Sequence, residues 1–422
     1  MARLRILLLA LAISSIFCRL PANAVSPKAL VAPITKDAKT LRYTVEILQK
    51  TPVQKQNLML DLTSDYSIFR CSAKAYKSST YSPVPYTETL CKSYEYSGSS
   101  ICYSPTAPGC HNGTCVVPGL PNYELARDVA SIRATSGSNP GGYVKASGVV
   151  FACTEETDTF RDYPSKATGL AGMTASSLAL PAQLSASLGI SREFAICLPS
   201  TANSPGALFF GSKPYVFLPP PGRDLSTRLI TTPLLKNSFY TDDYYIGVRG
   251  IQVNGVDVAF NKSSLQFGYR ERGGAKLDTL VPYTQLSSAI YNSLAKVFTD
   301  VAIKMNVTRA AANVAPFGTC FNTAGVASTR VGPAVPTIDL VLQNNATWRI
   351  FGANSMVQVS DKVMCLGFVD GGGDPVTTIL IGAYQMEDNF LHFDLARSSL
   401  GFTSSLLFQQ TTCSNFNFTS SK

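Results

Sequence analysis

Histidine is almost missing from this chain. Of 422 residues only two are histidine and one is tryptophan. His111 lies between Cys110 and Asn112 and reads as a surface-loop residue. His392 falls on the polar phase of an alternating run. Neither has a Gly-x-Ser-x-Gly partner, which argues against a serine triad. No His/Cys/Asp cluster has metal-ligand spacing, so neither a metal nor a cofactor is expected. Gly371-Gly372-Gly373 lacks the strand-Gly-Lys context of a phosphate loop. Asp370 and Asp374 flank it and read as a solvated turn rather than a calcium site. Charge is scarce too, with 15% of residues charged. Beyond the first twenty residues no apolar run is long enough to cross a bilayer as a helix, so no membrane anchor is expected.

What is present points to export. Arg3 and Arg5 precede an apolar run from Ile6 to Phe17, and Ala22-Asn23-Ala24 supplies a small-residue cleavage site. Residues 1–24 therefore read as a secretory signal peptide. Its loss removes Arg3, Arg5 and Arg19, and the formal charge falls from +9 to +6. That suits adhesion to an anionic matrix, and no nucleic-acid motif accompanies it. With Cys18 gone, ten cysteines remain: Cys71, Cys91, Cys102, Cys110, Cys115, Cys153, Cys197, Cys320, Cys365 and Cys413. An even number in an exported chain predicts up to five disulfides. Asn-x-Ser/Thr sequons at Asn112, Asn261, Asn306, Asn345 and Asn417 predict glycosylated surface loops.

Strand signals dominate. Leu41, Tyr43, Val45 and Ile47 alternate with Arg42, Thr44 and Glu46, the period of a half-buried strand. Asn254-Gly255 between two alternating runs predicts a hairpin. Leu391, Phe393 and Leu395 alternate with His392 and Asp394. Helices are few: Leu286, Ile290, Leu294, Phe298 and Val301 predict one starting near Thr284, and Ala182–Leu188 a shorter one behind Pro181. The run Leu218-Pro219-Pro220-Pro221-Gly222 is the best central linker. It divides an N-terminal lobe, residues 25–222, from a C-terminal lobe, residues 223–422.

A weak internal repeat carries the most information. Leu58-Met59-Leu60-Asp61 is followed later by Gly169-Leu170-Ala171-Gly172. Ala275-Lys276-Leu277-Asp278 is followed later by Ile379-Leu380-Ile381-Gly382. Two such halves would bring two aspartates together at a cleft. Paired carboxylates share one proton, so one can act as base toward water while the other donates to a carbonyl. That chemistry wants Asp-Thr/Ser-Gly at each turn. Here Leu62 and Thr63 follow Asp61, and Thr279 and Leu280 follow Asp278. Both glycines are gone. A branched side chain there is expected to distort the turn or block the water site, leaving Asp61 and Asp278 as a vestigial, idle dyad.

At these residues the chain resembles plant cell-wall proteins that have the aspartic-protease fold without protease activity. They are the xyloglucan-specific endoglucanase inhibitor and extracellular dermal glycoprotein family, with xylanase inhibitors and basic 7S globulins more distant. The most specific stretches are Gly273-Gly274-Ala275-Lys276, Ala315-Pro316-Phe317-Gly318, Ser328-Thr329-Arg330-Val331-Gly332-Pro333 and Thr411-Thr412-Cys413. The resemblance implies a mainly β, bilobal pepsin-like aspartic-protease fold with a central cleft. It also implies two arginines on C-terminal loops that meet the paired catalytic carboxylates of a target glycosidase. A guanidinium binds carboxylate bidentately and stays charged, and a glycosidase offers two such acids. One arginine corresponds to Arg330. At the other position stands Gln410, which keeps hydrogen bonding and loses charge. Ser67-Ile68-Phe69-Arg70 replaces a more apolar, Trp-containing run of the family.

The expected function is that of a secreted, monomeric, non-proteolytic apoplastic defence protein. Its partner would be a glycoside hydrolase, an endoglucanase or xylanase that it inhibits. Two rivals stand beside it: a weak or atypical aspartic endopeptidase using Asp61 and Asp278, and a wall or storage glycoprotein that binds a peptide or polysaccharide.

Overall fold

Tyr43, Val45 and Ile47 are buried and the residues between them half-buried, so the alternation forms the strand Tyr43–Gln49. It starts two residues later than the pattern suggests. Leu41 lies at φ 57°, its N–H donating to Asp37 O in a turn. The computed structural model describes residues 28–71, 76–93, 114–117, 120–156, 158–219 and 222–419. The expected signal peptide, Cys102, Cys110, His111 and Asn112 lie outside the described residues.

The internal repeat is structural. The strand Gln54–Asp61 runs parallel to Gly169–Gly172, with Asp61 opposite Gly172. The strand Ala275–Leu277 runs parallel to Ile379–Ile381, with Leu277 opposite Ile381. In each half the chain turns after the aspartate and returns antiparallel on the other side of the same short strand. Ile68–Arg70 does this in the first half and Thr284–Leu286 in the second. The glycine ending each apolar element lies under that returning chain. A Cβ on Gly172 would sit 2.4 Å from Tyr66 O, and one on Gly382 2.4 Å from Tyr283 C.

Six strands form one antiparallel sheet that joins the halves. Their order is Ile230–Leu235, Ser399–Phe402, Phe390–Asp394, Glu193–Cys197, Gly206–Gly211 and Ala29–Lys36. Phe194 stacks on Phe393 across it, ring centroids 4.5 Å apart. Phe390–Asp394 is buried at every position, so its alternation does not mark a solvent face. His392, expected on that face, is only 7% exposed. Its Nε2 meets Glu193 Oε2 at 2.8 Å, and this hydrogen bond holds the Glu193 carboxyl below its ordinary pKa.

The long helix is Ser288–Lys304, burying Ile290, Leu294, Phe298 and Ala302. It begins after Thr284 because Thr284–Leu286 is a strand, from which Leu286 reaches the core. The shorter helix, Leu180–Leu188, ends on Gly189 at φ 65°. Asn254 and Gly255, both at positive φ, make the expected hairpin turn. Four disulfides lie among the described residues: Cys71–Cys153, Cys91–Cys115, Cys197–Cys413 and Cys320–Cys365. Cys197–Cys413 fixes the C-terminal segment to a strand of the joining sheet.

Candidate functional site

The two aspartates come from equivalent turns. Asp61 is 3% exposed and Asp278 8%. Thr63 N and Thr63 Oγ1 both donate to Asp61 Oδ1, each at 2.7 Å. Leu280 N donates to Asp278 Oδ1 at 2.6 Å. The amide two residues on therefore reaches its carboxylate without a glycine. The expected distortion is absent because neither Thr63 nor Leu280 adopts a positive φ, and the turn asks only for an N–H. Leu280 packs with the apolar cluster that contains Ile68, Phe160 and Leu170.

The turns are joined on one side only. Thr279 Oγ1 donates to Leu60 O at 2.8 Å and accepts from Leu62 N at 3.3 Å. Leu62 has no hydroxyl to return, and its side chain is fully buried in the core. Burial pushes the Asp61 carboxyl up to about 6; the nearby Asp278 and Asp243 carboxyls add to this, while the Thr63 hydrogen bonds oppose it. Below that pH Asp61 holds its proton.

Arg42 was read from sequence as the solvated phase of a strand, and the structure places it elsewhere. Its Nε donates to Leu280 O at 3.3 Å and its Nη1 to Asp162 O. It thus ties the first half of the chain to the second aspartate's turn. The strand begins at Tyr43, so Arg42 stands before it and is not bound by its alternation.

A second site lies on the C-terminal half. Arg330 is exposed at the tip of the hairpin Ser328–Thr329 and Gly332–Pro333, where Thr329 Oγ1 accepts from Val331 N and donates to Gly332 O. Ala353 N donates to Val331 O and docks the hairpin on a helical turn. Gln410 caps the short 3-10 helix Leu406–Gln409 at φ 57°, with its side chain exposed. The two residues line one open cleft of about 350 Å³, together with Leu407, Thr411, Thr412 and Asn415. No acid lines it, and Arg330 has no ion pair among the described residues. Phe408, on the same 3-10 helix, lines a different cleft with Arg349 and Phe351; it is 59% exposed and edge-on to Phe351 with centroids 4.7 Å apart. In the sequence this ring was indistinguishable from a core phenylalanine.

The remaining expected residues scatter. Asn261, Asn306 and Asn345 are exposed and Asn417 is half-buried. Asp370 Oδ1 accepts from Ser288 Oγ and Gly372 N, and Asp374 pairs with Arg272. Both acids have protein partners.

Comparison with known proteins shows the family and agrees with the fold. Residues 43–212 match the family described as xylanase inhibitor N-terminal, and residues 243–404 that described as xylanase inhibitor C-terminal. "Probable aspartic proteinase GIP2" of Nicotiana benthamiana is 45% identical over 414 residues, covering 93% of each chain. "Gamma conglutin 1" of Prunus dulcis is 39% identical over 93% of this chain and 90% of its own. The crystal structure of the protein named edgp superposes with a TM-score of 0.86 at 40% identity, covering 94% of this chain and 99% of that one.

Proposed function

The chain belongs to the xylanase-inhibitor family, mainly β proteins of the pepsin-like aspartic-protease fold, and from that premise we propose a secreted, non-proteolytic inhibitor of glycoside hydrolases. Its target would be a xyloglucan-specific endoglucanase or a xylanase, met in the plant cell wall. The observation that carries this reading is the cleft shared by Arg330 and Gln410. An unpaired guanidinium on an exposed hairpin, with no acid beside it, suits a groove that holds two carboxylates. Arg330 would bind those acids bidentately and occlude the sugar chain. Gln410 would add a neutral hydrogen bond.

Proteolysis is disfavoured by the one-sided link between the aspartate turns and by Arg42 crossing beside Asp278. The rival reading, an aspartic endopeptidase, draws support from the raised Asp61 carboxyl and the intact amide bonds to both aspartates. Inhibition kinetics against a panel of xyloglucanases and xylanases separates the two. Competitive inhibition of at least one, without cleavage of casein, supports the inhibitor. No inhibition of any, with pH-dependent casein cleavage, supports the endopeptidase.

A further inference from the structure

A separate cavity lies away from Arg330, lined by the first half of the chain and by Pro282 of the second aspartate's turn. It measures about 740 Å³, and its walls carry four cationic side chains against two acidic ones. Arg42 and Arg70 are held in place, and Arg161 is ion-paired with Asp158. Arg42 is fixed by the carbonyls of Leu280 and Asp162, and the rest of its five N–H donors have no partner among the described residues. Arg70 lies over the Phe160 ring, its Cζ 4.8 Å from the centroid, with no ion pair among the described residues. A stacked guanidinium keeps its in-plane donors free for a carboxylate. Lys39 stands next to Asp37, whose own carboxylate already accepts from Thr40 N and Thr40 Oγ1.

We infer that this cavity binds a short oligosaccharide bearing carboxylates, an oligouronide. Two held guanidiniums and an ammonium lining one cavity match a chain with an acid on each ring. Ser165 and Tyr163 line the same space and offer hydroxyls to the sugar's own. An extended peptide running through the cleft is the less suitable occupant. It would have to pass Arg42, which is hydrogen-bonded across to the turn of Asp278. The inference does not rest on hydrolase inhibition, and it uses different residues.

The test is calorimetric titration of the mature protein with tetragalacturonate, cellotetraose and tetraglutamate. Tetragalacturonate should bind at low salt and lose affinity as ionic strength rises, because exposed charges are screened. Cellotetraose should not bind. Arg70→Gln should weaken binding about fivefold or more, and Arg70→Gln with Lys39→Gln further, since both cations are exposed and neither holds the fold. Arg330→Ala should leave it unchanged. No heat with tetragalacturonate, an affinity unaltered by the double substitution, or tetraglutamate binding as tightly would each overturn the inference.

Discussion

Thr279 donates its hydroxyl to the carbonyl of Leu60, 219 residues away in sequence, and Leu62 has nothing to give back. The bond joins the two aspartate turns across the cleft. In a symmetric arrangement each turn would hold the other, whereas here one hydroxyl does so alone. Thr279→Val keeps the shape and strands a buried carbonyl and a buried amide. It should cost about 1–3 kcal/mol, read as a lowered denaturant midpoint at unchanged slope.

Absence of proteolysis is the second expectation. The mature protein should cleave neither casein nor a peptide library between about pH 3 and pH 7, where a carboxylate dyad works. Cleavage that a statine-type inhibitor blocks and Asp278→Ala abolishes would establish the endopeptidase instead.

A third concerns pH and stability. Glu387 is 3% exposed. Its Oε1 accepts from Lys36 Nζ at 2.6 Å and Tyr43 Oη at 2.5 Å, which ties the end of the chain to its first two strands. Burial still pushes the Glu387 carboxyl from 4.5 up to about 7, as it pushes Asp61 from 3.8 to about 6. Both groups bind protons more tightly folded than unfolded. Their contribution to stability is complete below the unfolded values and is lost as pH rises through the folded ones. The melting temperature should therefore fall from pH 5 to pH 7. Glu387→Gln should flatten that slope, and an unchanged slope in the variant would remove Glu387 as its cause.

The covalent framework gives a fourth. Titrating thiols in the denatured mature chain should find essentially none, with Cys102 and Cys110 also oxidised. Two or more thiols per chain would break the expected pairing. Replacing Cys197 and Cys413 together by alanine should cost about 2–5 kcal/mol, because the bond closes a long loop.

Much of the fold was legible because its repeat leaves local marks. A short strand segment ending in leucine before each aspartate and an apolar run ending in glycine about a hundred residues later are short patterns with fixed steric causes. The joining sheet was not legible. Phe390–Asp394 is covered on both faces, so alternation could not say which residues meet water, and His392 was assigned to the wrong environment. At the candidate sites the sequence named Asp61, Asp278, Arg330 and Gln410. It could not show that Arg330 and Gln410, eighty residues apart in the chain, share a cleft. Arg42 was missed for a related reason: its partners are two backbone carbonyls, which no residue pattern encodes.

The most direct measurement is the dissociation constant for a xyloglucan-specific endoglucanase or xylanase, compared among the native protein, Arg330→Ala and Gln410→Arg. Both positions are exposed, so both variants should fold. Truncating one partner of a desolvated charge pair strands the other. Arg330→Ala should therefore weaken binding at least about tenfold, about 1.4 kcal/mol. Gln410→Arg should tighten it by placing a second guanidinium on the same cleft. If neither substitution alters binding to any such enzyme, the C-terminal cleft is not the inhibitory surface and the account fails.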